Sequence, residues 1–306
     1  MPEYGKVDYW NQRYGNEKSS SPFDWLFDYQ DVHIILNQLL PDKGTSIVSH
    51  HPYHPYHPYH PYHPYHHYQD EAILMVGCGN APFSPDIMFK GGHKNIINID
   101  ISDVVIEQQK KLYPQQEWIV MDVLDLKYDN NSIMIVIDKS LIDTLLCYSD
   151  GGHKFCSKMI DEIYRVMSPG SRYVTFSLHS LDETEIHFIK EKYNWKVSGY
   201  LVKSSRWNEN EDRHRAVCYT MLVCDKPNED GSYYMNQTYP MELEGTLSDE
   251  EYIKLRDHAL EVNKAASIKS ASVKRLKKYL HNALLVVSGE KATDNSSEMT
   301  TANVSM

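Results

Sequence analysis

A short apolar stretch that ends in glycine, EAILMVGCGN at residues 71–80, constrains the fold of this chain more than any other feature. Its centre is apolar without interruption, which is typical of a short strand buried on both faces. Strands of this kind belong to parallel sheets, because helices cover both faces of such a sheet. The stretch therefore predicts the first strand of a parallel α/β sheet.

Strand and helix patterns alternate after this stretch. Further strands are predicted at NIINID, EWIVMDV, SIMIVIDKS and SRYVTFSLHS, and helices at FSPDIMFKGG, SDVVIEQQKKLYP, FCSKMIDEIYRVMSPG and DETEIHFIKEKYN (182–194). The last two strands, WKVSGYLVKS and AVCYTMLVCDK, are joined by a polar loop, so we expect them to pair antiparallel. The predicted fold class is α/β, a doubly wound Rossmann-like seven-stranded sheet with a C-terminal antiparallel strand pair, plus a helical C-terminal extension.

A His-Pro-Tyr repeat at residues 50–68 interrupts the loop before the first strand. Proline at every third position favours an extended polyproline II conformation, which places successive histidines about 9 Å apart. The ligands of one compact metal site must lie much closer together. We interpret the repeat as a low-complexity insertion rather than a metal store, and no metal site is predicted.

The pattern of the sheet ends near residue 226, so the predicted main domain is 1–226. A helical extension is predicted over 227–288, where Ser248 and Glu251 form a capping box, and a disordered tail over 289–306. The segment 264–278 has six basic residues and no acid. Contact with a ribosome or RNA and an ordinary solvated helix face both remain open for this segment.

Charge and cysteine content limit the classes of partner and compartment. The formal net charge is −11, which argues against DNA and general nucleic-acid binding and is compatible with a basic protein partner. The five cysteines form no CxxC pair, which favours a reducing compartment. No apolar run is long enough to span a bilayer, so we expect a cytoplasmic protein without a membrane partner.

Glycines and acids at three successive strand ends indicate a nucleoside site. The Gly-Cys-Gly at 77–79 lets a ligand approach the backbone, and Asp100 ends the next strand, where a carboxylate accepts hydrogen bonds from ribose hydroxyls. Asp122 ends the third strand and is placed to meet an adenine edge with Val123. Pro82, followed by Phe83, stands where a dinucleotide-binding loop has its third glycine. Together with the antiparallel strand pair, this favours S-adenosylmethionine over a dinucleotide.

Several blocks in the same order resemble one known family. The chain is similar to class I S-adenosylmethionine-dependent methyltransferases of the methyltransferase-like 13 type, whose characterised members methylate a lysine of translation elongation factor 1-alpha. The resemblance spans about residues 4–226. The blocks that carry it are YGKVDYWNQRYG, SPFDWLFDY, ILMVGCGNAPFS, INIDISDVVIEQ, MDVLDL and VIDKSLIDTLL.

This resemblance implies roles for particular residues. Asp100 and Ile101 would lie beside the ribose and adenine, Lys139 near the methionine part, and the N-terminal aromatic residues would fold over the cofactor as a lid. The residues implied to bind S-adenosylmethionine are Trp10, Tyr14, Trp25, Gly77, Cys78, Gly79, Asp100, Ile101, Asp122, Val123 and Lys139.

The sequence departs from the family next to this site. The family usually has Gly-Thr-Leu-Asp after the lysine, whereas this chain has Ser-Leu-Ile-Asp at 140–143, which leaves the substrate open. Asp138 and Asp143 are candidates for substrate positioning, and no catalytic residue is assigned. The expected function is protein-lysine methylation. The alternatives are methylation of a small molecule or another protein residue, and a non-catalytic S-adenosylmethionine-binding scaffold; a nicotinamide dehydrogenase ranks last.

Overall fold

The computed structural model describes residues 4, 6–16, 22, 24–41, 72–148, 151–179, 184, 187–203 and 218–233. These residues belong to the first of two compact units of the chain, Met1–Ser248 and Asp249–Met306. The His-Pro-Tyr repeat, the basic segment 264–278 and the predicted tail lie outside the described residues. The predicted domain boundary after residue 226 therefore stays a prediction.

The described chain contains the seven predicted strands in the predicted order, together with six helices. In order, they are α1 (Val7–Gly15), α2 (Tyr29–Leu39), β1 (Ile73–Val76), α3 (Phe83–Phe89), β2 (Ile96–Asp100), α4 (Asp103–Leu112), β3 (Glu117–Val120), β4 (Ile133–Lys139), α5 (Leu141–Leu146), α6 (Gly152–Val166), β5 (Met167–Ser177), β6 (Lys196–Lys203) and β7 (Cys218–Asp225).

The strands form a seven-stranded sheet in the order β3-β2-β1-β4-β5-β7-β6. The first five strands are parallel, and β7 lies antiparallel between β5 and β6. The predicted Rossmann-like sheet with a closing antiparallel pair is confirmed. Because β1 lies at the point where the strand order reverses, the carboxyl ends of β1, β2 and β4 border one crevice.

Two hydrophobic clusters cover the two faces of the sheet. Alternate residues of β1 divide between them: Ile73 and Met75 join the cluster beneath α2 and α3, whereas Leu74 and Val76 join the cluster beneath α6. All four side chains are at most 3% exposed, which explains why the strand is apolar without interruption.

The helix predicted over 182–194 is wrong in its last part. Residues 187–195 form turns and irregular backbone, and the remainder of the range lies mostly outside the described residues. The aromatic side chains here pack into the core from a turn: Phe188 and Trp195 are buried, and Trp195 Nε1 donates a hydrogen bond to the Phe188 carbonyl at 3.0 Å. Tertiary packing therefore overrides the local helical pattern.

Candidate cofactor site

One cavity lies at the carboxyl ends of β1, β2 and β4, between the loops that follow these strands and helix α1. Every residue that the sequence implied for cofactor binding lines it. The complete lining is Tyr4, Trp10, Tyr14, Trp25, Met75, Gly77, Cys78, Gly79, Asn80, Ala81, Phe83, Asp100, Ile101, Met121, Asp122, Val123, Leu124, Lys139, Ser140, Leu141, Thr144, Leu145 and Tyr148.

The loop after β1 approaches the cavity with bare backbone. Gly77 and Gly79 adopt φ values of +62° and +58°, in the left-handed region that favours glycine. A Cβ on Gly77 would lie 2.9 Å from Leu141 Cδ1, and one on Gly79 would lie 3.2 Å from Tyr14 Oη. Between them, burial and the nearby Asp100 raise the pKa of the Cys78 thiol well above its usual range. The loop is thus a neutral backbone cradle.

Asp100 is held in place by the backbone on both sides. Its Oδ2 accepts a hydrogen bond from the Gly79 N–H at 3.0 Å, and its Oδ1 accepts one from the Ser102 N–H at 2.9 Å. Burial raises the pKa of the carboxyl, and these N–H donors oppose the rise. These bonds fix the orientation of the carboxylate, which keeps further hydrogen-bond acceptor positions toward the cavity.

The loop after β3 lies directly beside Asp100. The Met121 N–H donates to the Asp100 carbonyl at 3.0 Å, and the Leu124 N–H donates to Asp122 Oδ1 at 2.8 Å. Val123, which follows, is only 8% exposed and adds an apolar surface. The structure thus brings together the strand-end acids that the sequence singled out. We call the loops 77–80, 100–102 and 121–124 the cavity floor.

Aromatic side chains of the N-terminal segment line the cavity opposite the floor, and we call residues 4, 6–16 and 24–27, which carry them, the N-terminal cover. The Trp10 and Tyr14 rings stack with centroids 5.6 Å apart, and the Trp25 ring meets Trp10 at 6.2 Å. Burial and Asp100 raise the pKa of the Tyr14 hydroxyl well above its usual range. The cover therefore presents neutral aromatic rings to the cavity.

Two side-chain hydrogen bonds attach helix α1 of the cover to helix α4. Ser102 Oγ donates to Asn11 Oδ1 at 2.6 Å, and Gln108 Nε2 donates to the Tyr14 carbonyl at 2.9 Å. The same Ser102 hydroxyl accepts from the Val105 N–H at 3.3 Å and caps helix α4. The cover is thus bound to the element that follows Asp100.

The two candidates for substrate positioning do not line the cavity. Asp138 is fully buried and accepts hydrogen bonds from Tyr173 Oη at 2.5 Å and from the Leu141 N–H at 3.0 Å. Burial raises the pKa of its carboxyl to about 6. Asp143 accepts from the hydroxyls of Ser140 and Ser177 at 2.7 and 2.6 Å. Both acids therefore lie outside the cavity and hold its lining in place at residues 140 and 141. We call the lining residues between 139 and 148 the cavity wall.

The wall at residue 140 has an unusual backbone. Ser140 adopts φ +69° and ψ +11°, a left-handed conformation that disfavours any residue except glycine. Its hydroxyl donates to Asp143, and its carbonyl accepts from Thr144 Oγ1 at 3.0 Å. This conformation explains in physical terms why glycine would suit the position.

Sequence reasoning missed part of the lining and one ion pair. Tyr4 and Tyr148 were not singled out, although both line the cavity. Asp24 was also missed, and its carboxylate pairs with the Lys139 ammonium. Tyr4 and Asp24 lie inside the aromatic blocks that carried the family resemblance, so a closer examination of those blocks could have found them.

Neither a metal-binding cluster nor a membrane-spanning helix is found in the described part of the chain. No group of three or more His, Cys, Asp or Glu side chains there is arranged to hold a metal ion. None of its helices combines the length and apolarity needed to cross a bilayer.

Comparison with known proteins agrees with this geometry. Residues 74–175 match the family described as methyltransferase domain. The human eEF1A lysine and N-terminal methyltransferase is 28% identical over 214 residues, which cover 67% of this chain and 26% of that protein. The mouse EEF1A lysine methyltransferase 4 is 25% identical over 207 residues, which cover 64% of this chain and 69% of that protein. This chain thus spans about a quarter of the first relative and over two thirds of the second.

Among solved structures, the N-methyltransferase NodS from Bradyrhizobium japonicum in complex with S-adenosyl-L-homocysteine aligns with 74% of this chain and all of that chain, at 12% identity and a TM-score of 0.45. Residues 74–175 of this chain thus form a methyltransferase domain, and the chain is similar in sequence to the eEF1A lysine methyltransferases.

Proposed function

We propose that this methyltransferase binds S-adenosylmethionine in the cavity and transfers a methyl group to the side-chain amine of a lysine in a protein, with eEF1A as the first candidate substrate. The observation that carries the proposal is the convergence of Asp100, the glycine loop and the cover rings on one cavity. The choice of lysine and of eEF1A is supported by the names of the relatives.

The chemistry of the cavity suits a nucleoside with an amino-acid tail. A carboxylate has about four acceptor positions, so Asp100 keeps acceptor capacity for ribose hydroxyls beside its two backbone donors. Asp122 and Val123 would flank the adenine, with Ile101 on the same side. The backbone of Gly77, Cys78 and Gly79 would lie under the ligand. Lys139 would lie near the methionine part.

The aromatic cover suits the positive charge of the ligand. S-adenosylmethionine supplies a methyl group bound to a positively charged sulfur. The face of an aromatic ring attracts such a charge by about 0.5–2 kcal/mol, depending on desolvation. Trp10, Tyr14 and Trp25 would provide these faces and would exclude water from the reacting atoms.

The attacking amine must be neutral, and the cavity wall favours that state. A lysine ammonium has an ordinary pKa of about 10.4, and an apolar environment lowers it by desolvation. Leu141, Leu145 and Tyr148 give the wall this apolar character. In-line displacement at carbon requires accurate placement more than a strong base. We therefore assign no general base; Asp143 would position the wall through Ser140, and Asp138 through the Leu141 N–H.

The remaining parts of the proposal concern partners and location. The net charge of −11 would help to attract a basic substrate surface, and we propose that the reaction takes place in the cytoplasm. The basic segment 264–278 is proposed as a ribosome or RNA contact. DNA and membranes are not proposed as partners.

One observation favours a second candidate function. Ser140 occupies a left-handed position beside the cavity, where the resembled family has glycine, so the substrate entrance differs from the family pattern. A small molecule or another protein residue is therefore the alternative methyl acceptor.

The test is transfer of labelled methyl from S-adenosylmethionine into purified eEF1A and into a cytosolic extract, located by mass spectrometry. Asp100→Ala is the inactive variant, and Asp103→Ala, an exposed acid nearby, is the matched control. Label on an eEF1A lysine supports the proposal. Label on a metabolite or another residue transfers support to the second candidate. Cofactor binding without any label would instead support a scaffold.

A further inference from the structure

A buried ion pair links the N-terminal cover to the end of β4. The Lys139 ammonium donates a hydrogen bond to Asp24 Oδ1, and the two side chains are only 7% and 11% exposed. The ammonium also donates to the Phe27 carbonyl at 3.0 Å. Its nitrogen lies 4.5 Å from the ring centroid of Phe83. The negative charge of Asp24 therefore acts in a largely apolar environment, where an unpaired ammonium is strongly unfavourable.

The residues that follow Asp24 place an aromatic ring over the cavity. The Trp25 ring contacts the Tyr4 ring at 5.9 Å and the Trp10 ring at 6.2 Å, and the Arg13 guanidinium lies 5.3 Å from its centroid. Trp25 itself is 37% exposed, so the core holds it less firmly than it holds Trp10. The position of Trp25 thus depends on how the backbone beside it is anchored.

That backbone has a second polar anchor in the sheet. The Leu26 carbonyl accepts a hydrogen bond from Tyr219 Oη on β7. Asp24, Leu26 and Phe27 are thereby bound to two strands of the sheet, and Asp24 supplies a carboxylate to the Lys139 ammonium.

We propose that Asp24 is a positioning residue for cofactor binding: through Lys139 it fixes Trp25 over the cavity. This inference rests on the proposed function of the same site. Without the Asp24 charge, the ammonium would lose its ionic partner in the cover. The cover would then close less completely over the ligand, and the ligand would bind more weakly.

The experiment measures the affinity of the full chain for S-adenosyl-L-homocysteine by calorimetry. We expect Asp24→Asn to weaken binding about tenfold, because a charge-assisted hydrogen bond becomes a neutral one. Asp24→Glu keeps the charge and should restore most of the affinity. Asp103→Asn removes an exposed acid from helix α4, outside the cover, and is the matched control, with wild-type affinity expected.

A double-mutant cycle separates positioning from a general loss of structure. In the background of Lys139→Met, Asp24→Asn should have little further effect on affinity, because the residue through which Asp24 is proposed to act is absent. The Asp24→Asn and Lys139→Met double variant has no unpaired buried charge, so it remains informative if the single variant does not fold. An equal loss of affinity in both backgrounds overturns the proposal.

Two other outcomes are equally decisive. If Asp24→Asn binds as tightly as the wild type or more tightly, Asp24 does not position the cover, and a gain would mean that it competes with the ligand for Lys139. If the wild-type chain itself fails to bind S-adenosyl-L-homocysteine, the proposed function fails rather than this inference alone.

Discussion

The cavity floor and the N-terminal cover are built in different ways. The floor consists of loops between adjacent parallel strands, joined by backbone hydrogen bonds such as Cys78 N–H to the Ile99 carbonyl and Met121 N–H to the Asp100 carbonyl. The cover is held by side chains that reach distant parts of the chain, as Gln108 does at Tyr14. The floor is thus specified by the sheet itself, whereas the cover depends on individual tertiary contacts.

This difference teaches where the site tolerates change. A floor built from backbone keeps its geometry after most side-chain substitutions, except at Gly77, Gly79 and Asp100. In the cover, one substitution alters both the local structure and the ligand contact. The two regions should therefore respond differently when stability and affinity are measured together.

The largest effect is expected for Asp100→Ala in the floor. Hydrogen bonds to a charged group contribute about 1.5–3 kcal/mol each, so loss of the ribose acceptor should weaken binding of S-adenosyl-L-homocysteine at least about a hundredfold. Calorimetry gives the affinity, and thermal melting without ligand should show a smaller loss, because the Gly79 and Ser102 N–H groups lose an acceptor. Unchanged affinity would contradict the assignment of Asp100.

A smaller loss of affinity but a larger loss of stability is expected for Trp10→Ala in the cover. Removal of a buried tryptophan costs about 3–5 kcal/mol, and the Trp10 side chain is 8% exposed. Affinity should fall about tenfold, because the Asp100 acceptor remains. Chemical unfolding and calorimetry measure the two effects. A variant of wild-type stability would show that the cover is not packed as described.

A third prediction concerns Asp138 beneath the end of β4. Its folded-state pKa, about 6, lies above the unfolded value of 3.8, so its contribution to stability is full below the unfolded value and is lost as pH rises through about 6. The free energy of unfolding should therefore fall by roughly 1 kcal/mol more between pH 5 and pH 8 in the wild type than in Asp138→Asn. Parallel pH profiles would refute the shift.

The smallest effect is expected for the insertion. Replacement of residues 49–68 by a short Gly-Ser loop should leave cofactor affinity unchanged, because the extended repeat has no sequence feature that would pack it on the domain. Calorimetry on the shortened chain is the measurement. A large loss would show that the repeat is a third part of the site.

The fold and the floor could be predicted from the sequence because local patterns encode them. Uninterrupted apolar runs located the parallel strands, and parallel strands bring their carboxyl ends to one edge, so Asp100 and Asp122 had to lie close together. Glycine at 77 and 79 marked left-handed backbone. The cover residues, in contrast, were implied only by the family resemblance.

The sequence could not reveal which side chains point into the cavity or which residues pair across long stretches of chain. Asp138 and Lys139 are neighbours on β4, but successive side chains of a strand point to opposite faces, so only Lys139 reaches the cavity. The partner of Lys139 lies 115 residues earlier, and no local pattern reveals that pairing. Buried residues that lie in turns, such as Phe188, can likewise have helical spacing in the sequence without forming a helix.

The long-range contacts of the cover also set an order of assembly. Asn11 and Tyr14 leave the ribosome early, but their partners Ser102 and Gln108 follow 91 and 94 residues later. The partner of Asp24 is synthesised later still. A nascent chain therefore carries α1 without its α4 contacts until Gln108 has been made, and Asp24 without Lys139 until β4 has been made. Closing such long loops is entropically unfavourable before the sheet exists. The first part of the site to be synthesised is thus the last to be secured.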